Sequence, residues 1–171
     1  MGSTIMGKTG NMPEAGHKSI ELSGDSLVAL LIGILKMGSF VNAPMKEGVC
    51  DPAGIGRAEL KVMMALAGEG SMAGHDLTEL MGVAPMNVSR AIASLRKRGW
   101  IEEAPDGANR RRKPVRLTAE GVQAYQTLAP SFSQVAQELL GVLTASERKA
   151  FARLSDRINE SMSGWKSGHS E

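Results

Sequence analysis

Two helical patterns separated by a three-residue turn that opens with a glycine constrain this chain more than any other feature. HDLTELM (75–81) predicts a short helix that stops at Gly82, and PMNVSRAIASLRKRG (85–99) predicts a second helix ending at Gly99. Pro85 suits a first helical position, because its missing N–H would be unpaired there anyway. Val88, Ile92 and Leu95 fall at i, i+4 and i+7, one face of a helix. Thr78, Gly82 and Val88 sit at the spacing of a helix-turn-helix. A small side chain lets the helices cross closely, glycine tolerates the left-handed turn, and the aliphatic residue anchors the second helix. WIEEAP (100–105) and KPVRLT (113–118) then predict two short strands around the turn Asp106-Gly107-Ala108-Asn109. Helix, turn, helix, hairpin is the layout of a winged helix-turn-helix.

Charge singles out the same region. The whole chain carries a formal net charge of only +2, yet residues 86–118 hold nine basic side chains against three acidic ones. Positive charge concentrated in one segment is the footprint of a polyanion-binding face, and a merely solvated surface is the plainer alternative. With Val88, Ile92 and Leu95 turned inward, Asn87, Ser89 and Arg90 project outward near the start of the second helix, where base edges are read. Asn87 has the geometry to pair with adenine and Arg90 with guanine. Arg96, Lys97 and Arg98 follow one to two turns later and suit phosphates, or equally the negative end of the helix dipole. Arg110, Arg111, Arg112 and Lys113 at the hairpin suit a minor groove or flanking phosphates.

The remaining elements surround that core. Residues 1–18 lack periodicity and predict a flexible tail. From Ile20 to about Met37 the pattern is helical and apolar over more than half the circumference, so the helix is expected to pack on two sides, one of them a partner chain. Residues 38–55 hold Pro44, Gly48, Pro52 and Gly54 and predict a long loop with a ligand or partner role. GRAELKVMMALAGEG (56–70) predicts a helix stopped by Gly68 and Gly70. Thr118 caps a helix over 119–140 that Pro130 kinks or restarts. Thr144 and Glu147 form a capping box for a last helix with Leu143, Phe151, Leu154, Ile158 and Met162 as its stripe. The predicted organisation is a tail (1–18), an N-terminal dimerisation helix and loop (19–54), a winged helix-turn-helix DNA-binding domain (55–117), C-terminal dimerisation helices (118–163) and a tail (164–171). The fold class is mainly α with a small β-hairpin wing.

Several function classes fall away. A single cysteine, Cys50, excludes an intrachain disulfide framework or a cysteine-cluster zinc site and fits a reducing compartment. The longest apolar run, Leu27–Leu35, has nine residues against roughly 20 for a membrane span, and Glu21 and Asp25 do not suit a secretory leader. A cytoplasmic protein with no membrane partner is expected. The P-loop match Gly2–Thr9 has no room for a preceding strand, and the glycine-rich stretch 68–73 follows a helix instead of a strand. The histidines stand at 17, 75 and 169, outside any hydrolase or metalloprotease motif. No enzyme, metal or cofactor is expected.

DLTELMGV (76–83), NVSRAIASLRKRGWI (87–101) and NRRRKPVRLTAEG (109–121) resemble the MarR family of bacterial transcriptional regulators, a likeness extending over about residues 20–162. Leu117-Thr118-Ala-Glu-Gly121 matches the family's helix start and Arg111 its wing arginine. Asn109 stands where the family has aspartate, and Glu103 where a basic residue is common. The resemblance implies a homodimer whose first and last two helices interlock, a pseudo-palindromic operator in double-stranded DNA, and repression relieved by a small effector. Apolar stripes at both ends of the chain, which need each other for burial, agree with the dimer. By position, His17, Phe40, Arg57 and Met64 are the candidate effector residues, and an aromatic acid or an acyl thioester of one the expected ligand. The alternatives are a non-specific, architectural or partner-binding winged helix and, more remotely, a redox sensor built on Cys50.

Overall fold

A computed structural model of the chain describes residues 23–105 and 113–168, with the side chains of the last helix up to Met162. Its helices run α1 (Leu27–Phe40), α2 (Asn42–Met45), α3 (Asp51–Ala53), α4 (Arg57–Glu69), α5 (Gly74–Met81), α6 (Pro85–Lys97), α7 (Ala119–Gln126), α8 (Ala129–Leu140) and α9 (Ala145–Gly168), with strands β1 (Ile101–Glu103) and β2 (Val115–Leu117) between α6 and α7. The chain divides into two compact units, Met1–Ser39 and Phe40–Glu171. Among the described residues, the first unit consists of a turn and nearly all of α1. Leu27, Leu31 and Leu35 are exposed on this helix, which begins seven residues after the predicted start at Ile20.

The second unit corrects one expectation at once. The predicted loop 38–55 is mostly helical: α1 continues to Phe40, and α2 passes through a π-turn, Lys46–Cys50, into α3. Pro44 and Pro52 do not break it, because each lies in the first turn of a short helical segment, where its missing N–H leaves no bond unmade. Gly48 lets the π-turn press on α8, since a Cβ there would stand 2.4 Å from Val135 Cγ2. The helical run Leu27–Ala53 has 27 residues and contains an 18-residue stretch of mean hydropathy 1.7, long and apolar enough to cross a bilayer by length and composition. Counting only uninterrupted apolar residues missed this, because Lys36 ends the run without ending the helix. At its far end Val49 and Cys50 are buried in the core of the second unit.

That core is the meeting of α4, α5 and α6. Leu60, Val62, Met63 and Leu66 of α4 face Leu77 of α5 and Val88, Ala91 and Leu95 of α6, all buried. Gly68 lies within α4, and Gly70 alone ends it. Gly82 terminates α5 with φ of 58°, the left-handed conformation that glycine adopts without penalty. Inside α6 the buried stripe is Val88, Ala91 and Leu95, with Ile92 only half-buried.

β1 and β2 pair antiparallel in the register Ile101↔Leu117, Glu102↔Arg116, Glu103↔Val115. Ile101 and Val115 point into the core while Glu102 and Arg116 pair across the outer face at 2.8 Å. The predicted turn 106–109 and Arg110, Arg111 and Arg112 lie outside the described residues, as does His17.

Thr118 then starts α7 by accepting the Gly121 N–H at 3.0 Å while donating its own hydroxyl to the Gly99 carbonyl at 2.7 Å. This cap also staples the new helix to the end of the reading domain. Thr118→Ala removes both bonds, and the expected loss is about 1–2 kcal/mol, read as a lower urea midpoint at unchanged slope. The predicted helix over 119–140 is two helices, with Pro130 second in α8. Thr144 and Glu147 form the capping box reciprocally, at 2.7 and 3.3 Å. α9 extends to Gly168, past the predicted boundary at 163.

Candidate nucleic-acid interface

The turn Gly82–Ala84 sets α6 against α5, and the buried stripe of α6 fixes which side faces outward. Asn87, Ser89 and Arg90 are exposed on that outward side, as are Arg96 and Lys97 near the C-terminal end. Arg90, Lys97, Asn87 and Ser89 make no side-chain hydrogen bond or ion pair among the described residues. Arg96 lies 3.5 Å from Glu103 of β1, so the acidic residue at that unexpected position serves as its tether. Lys113 is exposed at the described edge of the hairpin with φ of 41°, a left-handed backbone that bends the chain there.

Arg98 differs from its two neighbours. Its guanidinium turns back into the domain, donates to the Gly54 carbonyl at 2.7 Å, and places Nε 3.7 Å from Glu59 Oε1. Its Cζ also lies 5.0 Å from the centre of the Trp100 ring, within range of a cation–π attraction. Sequence reasoning grouped three consecutive basic residues together, because nothing local reveals an acceptor 44 positions away.

The candidate effector residues do not share one recess. Arg57 lines a recess of about 340 Å³ with Asn42, Lys61, the Gly82–Ala84 turn and Asn87. Met64 lines another of about 380 Å³ with Lys61, Ala65, Leu80 and Met81, and Phe40 is exposed and lines neither. Arg57 makes no hydrogen bond or ion pair among the described residues. A larger cavity of about 640 Å³, formed by Leu66, Ala67, Leu117, Val122 and Tyr125 with Arg116 at its edge, was not anticipated. No periodicity marks it, because it forms where α4, β2 and α7 converge.

Cys50 is buried to 1% exposure on the π-turn. Burial, reinforced by the neighbouring Asp51 carboxylate, pushes its thiol above the usual cysteine range. A raised value leaves less thiolate at neutral pH, and thiolate is the reactive form. Native protein is therefore expected to react with a disulfide reagent at pH 7–8 at least about tenfold more slowly than free cysteine, with full reactivity returning in denaturant. Equal rates in the native protein would restore the redox alternative.

A left-handed glycine between two packed helices, a cationic exposed face on the second and an adjacent two-stranded wing define a winged helix-turn-helix DNA-binding protein. The sequence model of the MarR family matches residues 53–112. The transcriptional regulator HosA of Escherichia coli is 30% identical over 98 residues, covering 57% of this chain and 73% of HosA. The chain belongs to the MarR family of transcriptional regulators. Apo MarR from Escherichia coli has the same fold, with a TM-score of 0.63 and 22% identity over 78% of this chain and 96% of that one. So does BpsR of Bordetella bronchiseptica, whose DNA binding is regulated by 6-hydroxynicotinic acid, with a TM-score of 0.60 and 22% identity over 82% and 98% of the two chains.

Proposed function

We propose that this regulator is a homodimeric, sequence-specific repressor that leaves its operator when a small aromatic acid, or an acyl thioester of one, binds. The observation that carries the reading is the outward face of α6, where Asn87, Ser89 and Arg90 stand exposed, with no side-chain hydrogen bond or ion pair among the described residues, opposite the buried Val88, Ala91 and Leu95. Polar groups left unpaired on a rigid helix are available for base edges. Arg96, Lys97, Lys113 and the wing residues Arg110, Arg111 and Arg112 supply phosphate and groove contacts around that reading face.

The exposed apolar stripes support the dimer. Leu27, Leu31 and Leu35 of α1 and Phe151, Leu154, Ile158 and Met162 of α9 are 41–85% exposed, more apolar surface than a lone soluble chain usually presents. A second copy covers them, and its two-fold symmetry demands a pseudo-palindromic site with half-sites about 34 Å apart. The protein then works in the cytoplasm, and the apolar run of α1 is interface and not a membrane span.

Binding to the protein's own upstream intergenic DNA, compared with random duplex across a salt series, tests the proposal. A preference of at least about 10³-fold with steep salt dependence is expected. Equal affinity for both duplexes would leave only an architectural or partner-binding role. For the effector, Arg57 is a cation without a hydrogen bond or ion pair among the described residues and suited to hold a carboxylate, with His17, Phe40 and Met64 as further candidates. Arg57→Ala is expected to raise the concentration of aromatic acid needed for release by about tenfold or more, since a charge-assisted hydrogen bond contributes roughly 1.5–3 kcal/mol. An unchanged release curve would place the effector elsewhere.

A further inference from the structure

We propose that Arg98 is a positioning residue for DNA reading, which pins the C-terminal end of α6 to the Gly54 turn and to Glu59, and that it does not serve as a phosphate ligand. The proposal rests on the DNA-binding role of α6 and assigns a task that its basic neighbours do not share.

Four observations converge on it. Arg98 closes α6 as its C-terminal cap and spends its guanidinium on the Gly54 carbonyl at 2.7 Å. Glu59 is buried at the start of α4, where its Oε2 accepts the Gly56 N–H. Its other oxygen, Oε1, is buried with no hydrogen bond and stands 3.7 Å from Arg98 Nε. A buried carboxylate oxygen needs a cation beside it, and Arg98 is the one there. Finally, the Trp100 ring sits against the same guanidinium, which restricts where it can swing.

The consequence is geometric. The N-terminal end of α6 is held by the Gly82 turn, and Arg98 holds the other end. For a 13-residue helix, about 20 Å long, a slip of about 10° at one end displaces the other by roughly 3 Å. That is more than a bidentate base contact tolerates. Gly54 ends the segment that begins with the π-turn, and the π-turn packs on α8 through Gly48 and Val135. The Arg98 clamp therefore also joins the reading helix to α8.

The test uses the full-length protein with Arg98→Lys, Arg98→Met/Glu59→Gln and Lys97→Met, each checked for folding by thermal melt. The paired variant removes the carboxylate along with the cation, so no buried charge is stranded. Operator and random-duplex affinities are measured across a salt series. Amide exchange in the last turn of α6 is measured without DNA.

If Arg98 positions the helix, Arg98→Lys fails to rescue, because an ammonium does not span both acceptors. Operator preference then falls about tenfold or more in both Arg98 variants, the salt slope of the paired variant stays at the wild-type value, and the last-turn amides exchange about tenfold faster. Lys97→Met, by contrast, lowers the slope by about one per protomer and leaves exchange unchanged. If Arg98→Lys binds like wild type and the paired variant loses slope equally on both duplexes, Arg98 is a phosphate contact and the proposal is overturned. Unchanged preference and unchanged exchange overturn it as well. Should the wild-type protein itself show no operator preference, the operator reading fails separately. Amide exchange alone then decides the clamp: protection lost in Arg98→Lys supports it, and protection kept rejects it.

Discussion

Gly121→Ala is expected to destabilise the protein by about 2–4 kcal/mol, the sum of an overpacking penalty and disrupted hydrogen bonds at the start of α7. A Cβ at Gly121 would stand 1.9 Å from the Trp100 carbonyl oxygen and 2.8 Å from its carbon. Both atoms are backbone, so no rotamer change relieves the contact. Nor is that carbonyl free to retreat, because it accepts the Thr118 N–H at 3.0 Å. Relief requires moving the first turn of α7 outward, which breaks the Thr118 bonds to Gly99 and Gly121. Chemical and thermal denaturation measure the effect, and for a chain of this size the melting temperature should fall by roughly 4–16 °C. Gly68→Ala is the control, since it lies exposed within α4, away from the proposed dimer face, with nothing within 4 Å of a Cβ there, and alanine is the better helix former. A Gly121→Ala protein melting within about 1 °C of wild type would show that α7 does not dock as described.

The second large effect is on binding, not on folding. Arg90→Ala is expected to weaken operator binding by about 1–3 kcal/mol for each lost bidentate base contact, hence about 2–6 kcal/mol for a dimer with two reading helices. Stability should change by less than about 0.5 kcal/mol, because Arg90 is exposed and has no hydrogen-bond or ion-pair partner among the described residues. Random duplex should lose far less affinity than the operator, so the specificity ratio collapses. Equal losses on both duplexes, with a shallower salt slope, would mean that Arg90 touches phosphate and that base reading belongs to Asn87 and Ser89.

These two residues mark how far local chemistry reaches. Gly82, Pro85, Thr118 and the Thr144–Glu147 box are legible because each signals through its own backbone: a left-handed turn, a first helical position, a cap closed within four residues. Gly121 matches the family's helix start, but its need for glycine comes from the Trp100 carbonyl, 21 positions away. The alternation of buried Val88, Ala91 and Leu95 with exposed Asn87, Ser89 and Arg90 follows from helical periodicity, so one face of the candidate interface is legible in the residues alone. Periodicity errs in giving Ile92 the depth that Ala91 takes: Ala91 is buried and Ile92 only half-buried.

Residues 38–55 mislead because their prolines and glycines are breakers only in isolation. Packing of the π-turn against Val135, far along the chain, makes those residues helical. The cations show the same division within three consecutive positions. Arg96, Lys97 and Arg98 are equivalent as a run of charge, and their residues alone place a cationic helix after a glycine turn and before a wing. Distant packing sets Arg96 against Glu103, leaves Lys97 without a partner among the described residues and turns Arg98 to Gly54 and Glu59. Caps and turns are closed by neighbours in the chain, whereas the partner of a long charged side chain is chosen by which distant elements fold against it.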